Sequence, residues 1–117
     1  MARAAFDQTF LAEAPICLVF CADPHRSSPK YGERGTELYS VQDATIAGTF
    51  AMLAAVDLGL ATVWVGSFDE DKVQGVVGSK SVRPVAMFAL GYPAEEPEAT
   101  PRRAIEDIFS GDFPQTD

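Results

Sequence analysis

Histidine is almost missing from this chain: His25 is the only one in 117 residues. No Ser-His-Asp candidate with a nucleophile elbow goes with it, and there is no second imidazole for a metal site. Cysteine is nearly as scarce. Cys17 and Cys21 are the only two, and both fall in one apolar run that reads as a strand. Four residues of strand span roughly 13 Å, whereas a disulfide needs Cα atoms within about 7 Å. The two thiols are therefore read as unpaired core residues, as suits a reducing cytoplasm. Positive charge is also short: nine Lys and Arg face seventeen Asp and Glu, a net charge of −8. The one adjacent Lys/Arg pair is Arg102-Arg103. A surface that grips nucleic acid or an anionic membrane needs clustered cations, so both partners are discounted. No apolar run can span a bilayer, since the longest low-charge stretch, Ala44 to Val56, is bracketed by Asp43 and Asp57. Met1 to Phe10 lacks the apolar core of a secretory leader. Walker A, Gly-x-Gly-x-x-Gly and Cys-x-x-Cys patterns are absent. If the chain is catalytic, the chemistry falls to a cofactor, with no catalytic side chain and no metal ligand to nominate.

What is present is a soluble, single-domain composition, 47% hydrophobic and 22% charged. Phe6, Phe10 and Leu11 repeat at helical spacing, so residues 2 to 12 read as a helix end. Ile16 to Cys21 is apolar without alternation, the mark of a strand covered on both faces, and is placed centrally in a sheet. Asp23 to Gly35, rich in Pro, Ser, Gly and charge, reads as a loop. Glu37 to Leu58 reads as a long helix stopped by Gly59. Small residues recur on it at Ala44, Gly48, Ala51 and Ala55, while Val41, Ile46, Phe50, Met52, Leu53 and Val56 occupy its other sides. A helix apolar nearly all round is expected to be buried. The small-residue stripe is read as close contact with a second copy of the chain, with ordinary intrachain packing as the other possibility.

Ala61 to Val65 reads as a second strand, broken at Gly66-Ser67. Asp69 opens a short helix through Val77 with acidic residues at its positive end. Gly78 to Ser81 is a turn, and Val82 to Tyr92 is a third strand ended by Pro93. Ala94 to Pro101 is an acidic, Pro-rich linker, and Arg102 to Phe109, with Ile105, Ile108 and Phe109, is expected to dock as a short helix or an arm. The expected fold is α+β: a small, mainly antiparallel or mixed sheet packed on a long buried helix. One domain fills residues 1–117, with residues 110–117 as a loose tail.

The informative segment is Leu58 to Glu70, where a helix ends, a strand runs out, and the backbone breaks at Gly66-Ser67. A glycine there lets main-chain N–H groups approach a planar ring and steady charge on it. Gly59 to Glu70 resembles the corresponding strand and turn of FMN-dependent nitroreductase-family proteins. Three other stretches agree, in order. Glu13-Ala14-Pro15 with Cys21-Ala22-Asp23 resembles one family strand. Tyr31 to Gly35, Leu38-Tyr39 and Gln42-Asp43-Ala44 resemble a helix entry. Arg83-Pro84-Val85, Leu90 to Glu95 and Pro101-Arg102-Arg103 resemble the final strand and its exit. The resemblance covers about residues 13–109.

The resemblance implies an intertwined homodimer, here through helix 37–58, with FMN at the subunit interface. The flavin would take hydride from NAD(P)H and pass it to a nitroaromatic, quinone or similar small acceptor. Trp64, Val65, Gly66 and Ser67 would face the flavin, and Arg102 and Arg103 would hold its phosphate. The match begins in the family's middle, so the family's Arg-Ser-x-Arg phosphate motif has no counterpart. A flavin-free dimerisation or interaction module is the alternative expectation.

Overall fold

A computed structural model describes residues 1–111. Three strands form one antiparallel sheet: β1 (Ile16–Ala22), β2 (Ala61–Val65) and β3 (Arg83–Gly91), in the order β1-β3-β2. Cys17 faces Ala89 and Val19 faces Met87 across one pair; Val65 faces Met87 and Trp64 faces Phe88 across the other. Side chains alternate between the faces of a strand. Val65, Met87 and Ala89 therefore share a face with Cys17 and Val19. That face packs on Ala4, Ala5, Leu11 and Val73 in the core. Phe20, Trp64 and Phe88 share the opposite face. Their rings sit in a row about Phe88, with centroids 4.9 Å and 5.0 Å away.

The long helix, α3 (Ser40–Asp57), lies on this aromatic face. Its buried positions are Ser40, Ala44, Gly48 and Ala55. A Cβ at Gly48 would stand 3.2 Å from Phe88 and 3.3 Å from Trp64, tight enough that the rings would have to give way, so a glycine suits this close approach. The stripe of small residues is thus the intrachain face, not a contact between copies. Its spacing records close approach without naming the partner. The large apolar side chains are consequently displaced to solvent: Ile46 is 53% exposed, Phe50 68% and Leu53 62%. The helix expected to be buried on all sides is buried along one.

Other expectations are corrected in similar terms. β1 is an edge strand, not a central one. Its unbroken apolar run reports cover on both faces and carries no information about its hydrogen-bonding edges. Residues 24–34 form a helix, α2 (Pro24–Arg34), where a loop was expected. Asp23 caps it by accepting a hydrogen bond from His25 N–H at 3.1 Å, and Pro24 opens it, both favourable start signals. Glycine at position 32 leaves helical geometry, and a π-helical turn, Gly35–Tyr39, leads into α3. Tyr31 and Tyr39 meet edge to face there, and Arg34 donates to the Tyr39 hydroxyl at 3.1 Å. The N-terminal helix is interrupted as well. A 3₁₀ turn, Ala2–Ala5, and the short α1 (Phe10–Glu13) are separated by Phe6 and Asp7, whose φ values are 52° and 58°.

β2 matches its expected span, and α4 (Glu70–Val77) starts one residue after its capping Asp69. From Tyr92 the chain leaves the sheet as an arm whose described residues are exposed, with one 3₁₀ turn at Ile105–Asp107. The radius of gyration, 17.7 Å, exceeds the roughly 13 Å of a compact chain this long, because the arm does not fold back. Of the expected loose tail, 110–117, residues 112–117 lie outside the described residues.

Asp69 supplies a direct test of the α4 start. Its carboxylate accepts from Lys72 N–H at 3.1 Å and pairs with the Lys72 ammonium at 3.2 Å. These interactions, the backbone bond foremost, hold its pKa below the ordinary 3.8. The folded state favours the charged form, so the stabilisation is present above the ordinary value and fades as pH falls through the lowered one. Asp69→Ala should lower the melting temperature at neutral pH. The gap to the parent should narrow in acid, as followed by circular dichroism melts across a pH series.

Candidate functional site

β1 and β2 both run antiparallel to β3, so their C-terminal ends lie at the same end of the sheet. α2 leaves β1 there, and the Gly66-Ser67 break leaves β2 there. Strand-end loops of this kind are where main-chain donors become available, because the ladder has stopped using them.

Each nominated residue has a definite place. Val65 is buried in the core and anchors the end of β2. Trp64, the adjacent residue, points to the opposite face, packs on Phe88, and remains 38% exposed. Gly66 and Ser67 are exposed. Among the described residues, neither Ser67 N–H nor Phe68 N–H donates a hydrogen bond. A Cβ at Gly66 would meet only the Trp64 ring, at 3.5 Å from Nε1. The loop therefore offers open main chain beside an aromatic edge, an arrangement suited to a flat, electron-rich ligand. Trp64, Val65, Gly66 and Ser67 are contiguous at the end of β2, with Trp64, Gly66 and Ser67 exposed and Val65 buried.

Arg102 and Arg103 stand apart. Both are exposed on the arm. Arg102 donates to the Thr100 carbonyl at 3.0 Å and to the Thr100 hydroxyl. Among the described residues, no hydrogen bond or ion pair links either arginine to residues 64–67. Two open surface depressions lie elsewhere. One is lined by Met1, Leu11 and Val76, the other by Met52, Val56 and Pro93. Neither includes any of the six nominated residues.

Sequence reading missed the brace that sets the loop. Asp69 N–H donates to Ala4 O at 2.7 Å. The Gln8 amide donates to Ser67 O at 3.3 Å and to Ala5 O at 3.0 Å. The N-terminal turn thus fixes residues 67–69 from 59 positions away, a pairing that no local pattern signals. The arginine at the start of β3 adds a weaker tie: Arg83 reaches Glu70 at 3.6 Å. Burial pushes both thiols above their ordinary pKa, most simply for Cys21; at Cys17 the N-terminal charge opposes the rise.

Comparison with known proteins places this geometry. A sequence profile described as "Nitroreductase family" matches residues 2–92. An oxygen-insensitive NADPH nitroreductase of Salmonella typhimurium is 32% identical over 108 residues, covering 85% of this chain and 45% of that protein. An FMN reductase [NAD(P)H] of Bacillus subtilis is 30% identical over 115 residues, covering 86% and 46%. Among solved structures, a nitroreductase from B. subtilis superposes with a TM-score of 0.78 at 27% identity, covering 93% of this chain and 50% of that one. The chain spans about half the length of the curated relatives it matches.

Gln8→Ala removes both amide bonds. It should cost about 1 kcal/mol in a urea titration and speed amide exchange at Asp69, read by NMR. Unchanged exchange there would show that the Ala4 contact alone sets the loop.

Proposed function

The chain belongs to the nitroreductase family, and we propose that it works as part of an FMN-dependent oxidoreductase. That enzyme would carry hydride from NAD(P)H to a nitroaromatic, quinone or similar small acceptor. The supporting observation is the break after β2, where, among the described residues, the Ser67 and Phe68 N–H groups donate no hydrogen bond and the Trp64 edge lies next to Gly66. Relatives named for FMN reduction and NADPH-dependent nitro reduction support the same reading.

The loop residues fit a flavin ring edge. Main-chain N–H groups can donate to ring acceptors without an ionisable side chain, and a glycine at 66 leaves room for close approach. Trp64 would form part of the pocket wall, and buried Val65 would hold the loop in place. FMN, when bound, supplies the hydride-carrying chemistry that no side chain here can. Arg102 and Arg103 would pair with the phosphate through charge-assisted bonds, which requires the arm to settle on the site. Residues beyond this chain's share of the family length would complete the enclosure.

Assembly belongs to the same proposal. Ile46, Phe50, Leu53 and Val56 fall on one side of α3 at helical spacing, and all are exposed. A second copy covering that side would bury a stripe too apolar to leave in water. No helix among the described residues is long and apolar enough to cross a membrane, and the two free thiols suit the cytoplasm. The separation of the arginines from the loop favours a second reading, a flavin-free interaction module. Mixing the chain with FMN and passing it through gel filtration distinguishes them. Retained flavin absorbance supports the enzyme, and a colourless protein supports the module.

Two substitutions sharpen the test. Gly66 does not adopt a positive φ, and a Cβ there makes only ordinary contact, so Gly66→Val should fold. It should nevertheless weaken FMN binding by about tenfold or more, roughly 1.4 kcal/mol. Retained affinity would move the flavin away from this loop. Phe50→Glu should leave the melting temperature of the chain nearly unchanged but shift sedimentation toward the monomer. A dimer that survives this change does not use the outer side of α3.

A further inference from the structure

At the surface, α2 turns back on itself, and two glycines make the turn possible. Gly32 has φ 58° and ψ −141°, a conformation that residues with a side chain rarely adopt. A Cβ at Gly35 would stand 2.7 Å from Ser27 O and 2.8 Å from Tyr31 Cβ, closer than real atoms come. Residues eight apart in a straight helix are about 12 Å apart, so the chain has folded back to bring Ser27 against Gly35. Yet α2 contributes no buried residue to the core. What the turn gathers is polar and aromatic: Lys30, Tyr31, Arg34 and Tyr39. Tyr31 and Tyr39 meet edge to face at 5.3 Å. Lys30 Nζ lies 5.1 Å from the centre of the Tyr31 ring, and the Arg34 guanidinium 5.5 Å from that of Tyr39. The bond from Arg34 Nε to the Tyr39 hydroxyl fixes the guanidinium further. Among the described residues, its two terminal nitrogens have no partner, and neither has Lys30 Nζ. Glu33 and Glu37 are near in sequence, but neither pairs with Arg34 there. In a chain with seventeen acidic residues and nine basic ones, an aligned guanidinium left without a carboxylate is set for an anion from outside.

We propose that Lys30, Tyr31, Arg34 and Tyr39 form a binding site for a nucleotide. The Arg34 fork takes one phosphate through paired charge-assisted bonds, and Lys30 takes a second. Tyr31, 49% exposed, offers its ring to the base. Inorganic phosphate would use the cations and leave the ring idle, whereas a nucleotide engages both. α2 leaves the sheet at the same end as the Gly66-Ser67 loop, and the proposed reductant, NAD(P)H, carries an adenosine phosphate at the end remote from its nicotinamide. In that role the site deepens the proposed function and rests on it. Two cations then favour NADPH, with its additional 2′-phosphate, over NADH.

The whole chain is titrated with adenosine 2′,5′-bisphosphate, adenosine 5′-monophosphate and inorganic phosphate, followed by NMR at the Gly32 and Gly35 amides and the Tyr rings. The bisphosphate should bind most tightly and inorganic phosphate most weakly. Arg34→Gln should weaken the bisphosphate about tenfold or more. Arg34→Lys should not restore it, since an ammonium cannot hold the Tyr39 hydroxyl and present a fork at once. Tyr31→Ala should weaken the bisphosphate and leave inorganic phosphate unchanged. Arg34 and Tyr31 are exposed, so these variants should fold. No binding, equal binding of inorganic phosphate, or bisphosphate affinity untouched by Arg34→Gln would overturn the site. Gel filtration with FMN separates this result from the flavin reading. A chain that binds the bisphosphate and retains no FMN keeps the site and loses the flavin; a chain that retains FMN and binds no bisphosphate loses the site alone.

Discussion

The approach of α3 to three aromatic rings governs the rest of the molecule. Ala44, Gly48 and Ala55 are small buried positions of the helix, and at Gly48 it comes so close to Phe20, Phe88 and Trp64 that a Cβ would require the rings to shift. A glycine inside a helix costs about 1 kcal/mol relative to alanine. Packed aromatic pairs return about 0.5–1.5 kcal/mol each beyond the area they bury, and two such pairs meet beneath this glycine. The exchange is favourable, and it has a geometric consequence. When one side of a helix is reserved for small residues, every large apolar residue must occupy the other side. Ile46, Phe50 and Leu53 are exposed because Ala44, Gly48 and Ala55 are not.

How much of this was legible in the sequence depends on whether the signal is local. β2 and α4 were readable because each is punctuated by its own residues. Thr62 to Val65 favours a strand, and Asp69 caps the helix after it. α2 was also written locally, in Asp23-Pro24, but the Pro, Ser and Gly content outweighed that cap. The helix has no buried residue, so no hydrophobic period marked it. The place of β1 at the edge was not readable, since side chains report faces and not hydrogen-bonding edges. The side on which the α3 stripe packs was likewise open, because a small-residue stripe fits an aromatic sheet as well as a second helix. The candidate stretch Trp64 to Ser67 was picked out through the strand break. Gln8 was not, because its bond to Ser67 crosses 59 positions.

In the proposed function the site would be divided between elements held in different ways. The loop at 66–69 is braced from two directions, by the N-terminal turn through Ala4 and Gln8 and by the core through Val65. The arm that carries Arg102 and Arg103 is held by contacts within itself. A ring-binding edge gains from being fixed in advance, since its donors then lose little freedom when they engage. Phosphate contacts from long arginine side chains tolerate more play. In the proposed function, the arm would bear the ordering cost and the loop the geometric accuracy.

The exposed side of α3 bears on where that ordering cost is met. Fully covering a Phe, Leu, Ile or Val side chain contributes about 1.5–3 kcal/mol. These four residues are 53–70% exposed, so covering what remains offers roughly 4–8 kcal/mol before losses. Association itself costs about 4–15 kcal/mol in lost freedom. The stripe alone is therefore close to balance, and a stable assembly needs further apolar surface. Ile105, Ile108 and Phe109 on the arm are exposed as well, and covering them adds a comparable amount. Docking the arm would then strengthen assembly and bring the arginines out of solvent in one event. Phosphate binding and association would reinforce each other, because both draw on the same ordered arm.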